Sequence, residues 1–177
     1  MKLAIVINGK GGSGKDSICD VVASHHSVVN VSSITPIKWV AENFFGWKKG
    51  KTDKDRKFLS DLKKLSTDYN DLPNRYCVNE FHKFLSNEDA EVFFVHIREP
   101  ENIEKFIESV DGQCITLLVR GGKSKSEQYG NHSDDDVENY NYDFVFENNG
   151  SYENLDEDFM KFFSQMANEV EGYYLPH

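Results

Sequence analysis

The chain opens with an apolar run between two polar ends, Lys2-Leu3-Ala4-Ile5-Val6-Ile7-Asn8, the pattern of a strand covered on both faces. It runs into glycines. Beyond them Ile18, Cys19, Val21 and Val22 recur at helical spacing, and Ser27 to Val31 reads as a second short strand. Strand, glycine loop, helix and strand together predict a parallel βαβ unit. Pro36 can open a helix along Ile37, Val40, Ala41, Phe44 and Phe45 that closes at Gly46. A charged stretch, Lys48 to Arg56, separates it from a helix marked by Phe58, Leu59, Leu62 and Leu65. Pro73 starts another, through Val78, Phe81, Phe84 and Leu85.

Glu91 to Ile97 predicts a third buried strand. Ile103, Phe106, Ile107 and Val110 stripe a helix that ends near Gly112, before a fourth strand from Cys114 to Val119. Residues 121–136 carry Gly, Ser, Lys, Asn and Asp with almost nothing apolar, as a surface loop or lid does. Tyr142 to Phe146 reads as the fifth strand, Asn148-Asn149-Gly150 as a turn, and Leu155, Phe159, Phe162, Phe163 and Met166 as a closing helix. The tail from Gly172 to His177 reads as loose. This alternation predicts an α/β chain: a three-layer α/β/α sandwich on a mostly parallel sheet of about five strands. Ligands of such sheets sit beyond the carboxyl ends of the strands, where Asn8, Arg98 and Arg120 fall.

A length of 177 residues suits one domain over 1–177, and neither a repeat nor a linker breaks it. Thirteen Phe, eight Tyr and two Trp supply the apolar area for a packed core. No stretch approaches the roughly 20 apolar residues of a membrane span, and the opening run is too short for a signal sequence, so a cytoplasmic protein is expected. Cys19, Cys77 and Cys114 are odd in number, far apart and in apolar surroundings, as buried reduced thiols are. Thirty acidic against twenty basic residues should repel nucleic acid and anionic lipid, so anions must be captured locally. Sixteen of the basic residues are Lys; the four Arg are Arg56, Arg75, Arg98 and Arg120. Arg is the better bidentate phosphate ligand, which gives each of the four a reason to be placed.

The chemistry concentrates in Gly9-Lys10-Gly11-Gly12-Ser13-Gly14-Lys15, which matches the first seven positions of the P-loop (Walker A) pattern. In that pattern consecutive backbone N–H groups wrap nucleotide phosphates, and the lysine, here Lys15, reaches between the β- and γ-phosphates. The glycine loop set between a strand and a helix therefore predicts a nucleotide site, for ATP with Mg²⁺, lined by Gly9, Gly11, Gly12, Ser13, Gly14, Lys15, Asp16 and Ser17. A bare strand-to-helix turn needs fewer glycines. The eighth position departs from the pattern: a Ser or Thr that ligates Mg²⁺ is expected, and Asp16 stands there. Its carboxylate can hold the metal directly or through water, with Ser17 the alternative hydroxyl ligand.

A loop ending Gly14-Lys15-Asp16 resembles that of the phage-type deoxynucleoside monophosphate kinases, within the adenylate-kinase-like group; some phosphomevalonate kinases share it. Lys54-Asp55-Arg56, then Leu59 to Leu65 and Arg75, are similar to that family's acceptor-binding helices, here about 34–88. Val95-His96-Ile97-Arg98 falls where the family has a strand ending in Asp-Val-Arg. Tyr142 to Ser151 looks like its final strand and base-side turn. The resemblance implies Arg56 and Arg75, with Asp55, for the acceptor, Arg98 near the transferring phosphoryl group, Arg120 at the hinge of a lid over 121–136, and Asn149 and Gly150 beside the base. Asp55 can instead pair with Arg56. His96 departs from the family's acid; a core-bonded histidine and a catalytic acid-base both fit it. Lys123 and Lys125 either close over phosphates or lie in a solvated loop. Asp134, Asp135 and Asp136 suit the start of a short helix better than a cation site.

The reading is transfer of the ATP γ-phosphoryl group to a phosphorylated small acceptor, a nucleoside or deoxynucleoside monophosphate. The alternatives are another small acceptor, such as phosphomevalonate or a sugar acid, and a nucleotide-binding protein without turnover, to which Asp16 and His96 point. A GTPase is disfavoured because no Asn-Lys-x-Asp segment selects guanine.

Overall fold

The opening apolar run forms β1 (Leu3–Asn8), buried along its whole length. The computed structural model describes residues 2–121, 136–149 and 154–170. Within them β1, β2 (Val28–Ser32), β3 (Val92–His96), β4 (Ile115–Gly121) and β5 (Phe144–Asn148) form one sheet in the order β2-β3-β1-β4-β5. Every pairing is parallel, where the sequence predicts only a mostly parallel sheet. The helices are α1 (Lys15–Ala23), α2 (Thr35–Phe45), α3 (Asp53–Asn70), α4 (Leu72–Ser86), α5 (Pro100–Ser109) and α6 (Leu155–Val170), with a short 3-10 turn at Asp136–Asn139. Among the described residues no helix is long and apolar enough to cross a membrane.

The period of two along β1 divides the core. Leu3, Ile5 and Ile7 belong to a cluster with Ile18 and Val22 of α1 and Phe159 and Phe163 of α6. Ala4 and Val6 belong to another, with Phe81 and Phe84 of α4 and Ile103 and Phe106 of α5. Helices therefore cover both faces, which makes the three-layer sandwich and explains why β1 reads as continuously apolar. Burying each such Phe contributes about 2–3 kcal/mol, so these faces hold the strand ends in place.

Local signals set most boundaries. Gly46, at φ +67°, closes α2. Thr52 caps α3 by accepting from the Asp55 N–H, while the Asp55 carboxylate accepts from the Thr52 N–H. The helix thus begins inside the charged stretch. Four apolar positions depart from the expected stripes: Phe44, Phe45, Leu65 and Leu85 are exposed, because α2 buries only Pro36, Ile37 and Ala41, α3 buries no residue fully, and α4 buries Pro73, Cys77, Phe81 and Phe84. β5 starts two residues later than its apolar pattern suggests. Tyr142 and Asp143 are occupied as anchors ahead of it: the Tyr142 hydroxyl donates to the Val137 carbonyl at 3.0 Å, and the Asp143 carboxylate accepts from the backbone N–H and hydroxyl of Thr116, each at 2.8 Å.

Candidate nucleotide site

The glycine loop lies at the carboxyl end of the central strand and runs directly into α1, whose first residue is Lys15. Two of its glycines are required by geometry. A Cβ on Gly9 would lie 2.6 Å from the Val119 carbonyl oxygen, and Gly14, at φ +90°, abuts the Asn148 side-chain amide. The loop is held from beneath. Asn8 accepts from the Gly9 N–H at 2.9 Å and donates to the Arg98 carbonyl (3.0 Å) and the Tyr142 hydroxyl (2.8 Å). Asn148 donates to the Ser13 carbonyl at 2.9 Å. These bonds tie the carboxyl ends of β1, β3 and β5 to one loop.

Gly11 and Gly12 are exposed, Ser13 is buried, and the Ser13 hydroxyl oxygen is buried without a hydrogen-bond partner among the described residues. An orphaned hydroxyl costs about 1–3 kcal/mol, a debt that an oxygen-rich anion on the glycine backbone would relieve. The N-terminus of α1 adds favourable partial positive charge at the same place. Phosphate thus fits the residues present.

His96 ends β3 on the face that packs against α1, opposite Ile7 of β1 and Ser32 of β2. Its Nε2 lies 2.9 Å from Asn30 Oδ1 and 3.8 Å from Cys19 Sγ, while Nδ1 faces the exposed Asp16 carboxylate at 3.9 Å. Burial pushes its pKa below the ordinary value; Asp16 opposes this, and Lys15 and Arg98 reinforce it. Neutral imidazole prevails near pH 7. His96 is thus bonded to the exposed Asn30 of β2 and lies beside the first turn of α1. Among the described residues no group of three or more His, Cys, Asp or Glu side chains is placed to hold a metal ion; Asp16 and His96 set one oxygen and one nitrogen donor beside the loop, and Ser17 lies half-buried in the first turn of α1.

The remaining sequence candidates spread out. Arg98 is half-buried just past β3, close enough to influence His96. Arg120 is a residue of β4, and its guanidinium donates to Glu138 at 2.8 Å and Glu147 at 3.3 Å, so its charge is engaged by carboxylates. The Asp55 carboxylate completes the α3 cap, and hydrogen bonding to Thr52 holds its pKa below the ordinary value. Arg56 and Arg75 are exposed in the first turns of α3 and α4. Asn149 is exposed just after β5. Gly150, Lys123, Lys125, Asp134, Asp135, nearly all of the 121–136 lid and the tail from Gly172 lie outside the described residues.

Two features escaped the sequence reading. Asn148 is a buried polar residue in phase with Phe146 along β5, and a polar side chain on the buried phase of a strand is the signal that marks it. The Lys63–Glu99 ion pair, with both oxygens at 2.7 Å, ties α3 to the segment directly after Arg98. Burial pushes the Glu99 carboxyl up, but the Lys63 ammonium outweighs it and holds the pKa below the ordinary carboxylate value. Nothing in the local pattern pairs residues so far apart.

Solved structures match this arrangement over nearly the whole chain. A protein described as TT1252 from Thermus thermophilus superposes with a TM-score of 0.55 at 20% identity, covering 96% of this chain and 98% of its own. A dephospho-CoA kinase from Campylobacter jejuni gives 0.53 at 17% identity, with 93% and 97% covered. A sugar kinase from Janibacter sp. HTCC2649 gives 0.52 at 15% identity, with 93% and 95% covered. The chain shares its fold with these structures. No protein-family model matches the sequence, and no curated protein sequence matches it either. At these identities the likeness is one of fold, and what the site does has to be argued from the residues.

Proposed function

We propose that this protein is an ATP-dependent phosphotransferase acting on a small phosphorylated acceptor, a nucleoside or deoxynucleoside monophosphate. The observation that carries the reading is the glycine loop: its orphaned Ser13 hydroxyl, the N-terminus of α1 and Lys15 converge at the end of the central strand, beside Arg98. Phosphoryl transfer requires positioning and charge neutralisation, with little covalent chemistry from the protein. In this reading the loop N–H groups hold the β- and γ-phosphates, Lys15 neutralises the charge shared between them, and Arg98 stabilises the group in flight. Arg56 and Arg75 bind the acceptor phosphate. Asp16, with Ser17 as an alternative, would hold Mg²⁺, which would supply further charge neutralisation when bound.

The acceptor is the finer part of the proposal. It rests on the Gly-Lys-Asp loop and on the arginines at the starts of α3 and α4, and the engagement of Asp55 in a helix cap weakens it by one candidate ligand. A net charge of −10 favours a small-molecule partner over nucleic acid or a membrane surface, and a cytoplasmic setting accords with it. A second reading, nucleotide binding without turnover, draws support from the engagement of Arg120 by Glu138 and Glu147. ADP release from Mg²⁺-ATP, measured across a panel of nucleoside and deoxynucleoside monophosphates, phosphomevalonate and sugar acids, tests these readings. Turnover stimulated by a monophosphate supports the proposal; stimulation by another acceptor alone moves the substrate class; ATP binding without turnover on any acceptor leaves the second reading.

A further inference from the structure

Asn8 closes β1 on the phase of Ala4 and Val6, the face that packs against α4 and α5, and Tyr142 lies against the same cluster. The Asn8 side-chain amide is fully committed. Its Oδ1 accepts from the Gly9 N–H at 2.9 Å, one Nδ2 hydrogen goes to the Arg98 carbonyl at 3.0 Å, and the other goes to the Tyr142 hydroxyl at 2.8 Å. That hydroxyl has a single hydrogen, which it donates to the Val137 carbonyl at 3.0 Å. The direction of every bond is thereby fixed: an amide turned over would set Nδ2 against the Gly9 N–H and Oδ1 against the Arg98 carbonyl, two like pairs. Asn8 and Val137 are buried, where water does not replace a lost partner. Burial pushes the Tyr142 phenol up to about 12 against the opposing bond from Asn8, so the hydroxyl keeps its hydrogen at neutral pH.

We infer that Tyr142 is a positioning residue for phosphoryl transfer, which acts through Asn8 to fix the entry of the glycine loop at Gly9 and the main chain of Arg98. The role rests on the phosphotransferase reading above and adds a residue that the P-loop pattern does not contain. In that reading ATP is gripped by several loop N–H groups and Lys15, so loosening one end of the loop costs binding little. The group in flight relies on Arg98, where a displacement of about 1 Å costs about 10²-fold in rate. Removal of the Tyr142 hydroxyl strands one Nδ2 hydrogen of Asn8 and lets the amide turn away from the Arg98 carbonyl, so the loss should fall on kcat.

The test is steady-state kinetics of the full chain with Mg²⁺-ATP and the acceptor of the panel above that gives the most turnover. It compares wild type with Tyr142→Phe, Asn8→Ala, the double variant and Tyr140→Phe. Tyr140 is the control: it is half-buried like Tyr142, their ring centroids lie 4.9 Å apart, and its hydroxyl bonds Glu104 instead. Tyr142→Phe should lower kcat by about 10-fold or more, with the KM for ATP within about 2-fold of wild type. It should have no further effect in the Asn8→Ala background. Tyr140→Phe should keep the wild-type kcat. NMR of the ligand-free protein should show the Gly9 N–H and the Asn8 side-chain amide moved further by Tyr142→Phe than by Tyr140→Phe, and this shift decides if Asn8→Ala does not fold. An unchanged kcat in Tyr142→Phe, an equal loss in Tyr140→Phe, or a loss that multiplies with that of Asn8→Ala overturns the role of Tyr142 while leaving phosphotransfer standing. Absence of turnover in wild type on every acceptor overturns both.

Discussion

The Asn148 side-chain amide donates to the Ser13 backbone carbonyl at 2.9 Å, joining the last strand of the sheet to the glycine loop on the central one. The same amide fills the space that a side chain at Gly14 would need. Asn148→Ala should cost about 1–3 kcal/mol, since the Ser13 carbonyl loses its buried donor. Gly14→Ala should cost about as much from its φ of +90° alone, plus the clash. Because removing Asn148 clears the clash, the double variant should be less destabilised than the sum of the two by about 1 kcal/mol. Thermal or urea unfolding of all four proteins measures this coupling; strict additivity would separate the two residues.

Lys15→Ala should leave the fold intact, because Lys15 sits at a half-exposed first helical position, and should lower the turnover number by about 10²-fold or more. Steady-state kinetics beside circular dichroism checks both parts. Unchanged turnover would remove the loop from the reaction.

The Lys63–Glu99 pair links α3 to the segment after β3, with both side chains largely buried. Lys63→Met should destabilise by about 1.5–3 kcal/mol. The folded Glu99 pKa lies below its ordinary value of 4.5, so its contribution is present above that value and fades as the pH falls through the lower, folded one. Wild type and Lys63→Met should therefore differ in stability at pH 7 and converge in acid. Unfolding curves at pH 7 and in the acid range test this, and a constant difference across both would contradict it.

Cys19, Cys77 and Cys114 are buried and unbridged, and burial pushes each thiol up to about 12. Native protein at pH 8 should react slowly with a thiol reagent, and three equivalents should titrate once denaturant is added. Rapid labelling of any of the three in the native state would contradict their placement.

Much of the fold was legible because its signals are local. The run from Leu3 to Ile7, the helical spacing after Lys15 and the Pro36 and Gly46 punctuation each report their own element. β5 was misplaced because Tyr142 and Asp143 look like strand residues by composition, while their side chains are spent on Val137, Asn8 and Thr116. The exposed Phe44, Phe45, Leu65 and Leu85 show the complementary failure, in which periodicity assumes a burial that the tertiary packing does not provide. In the site, the loop was readable as a motif. Asp55 stands three residues after Thr52, and that spacing alone makes its part in the helix cap readable. Asn148 and the contact between His96 and Asp16 depend on strand order, which a single sequence does not state.

The central claim is transfer of a phosphoryl group to an acceptor, as opposed to binding or hydrolysis. The most direct measurement follows ATP labelled at the γ-phosphate during incubation with the full chain, a divalent cation and each nucleoside monophosphate. The account predicts label on the acceptor as a new diphosphate, at a rate that Lys15→Ala lowers by about 10²-fold or more. Label retained in ATP, or recovered only as inorganic phosphate, would contradict it.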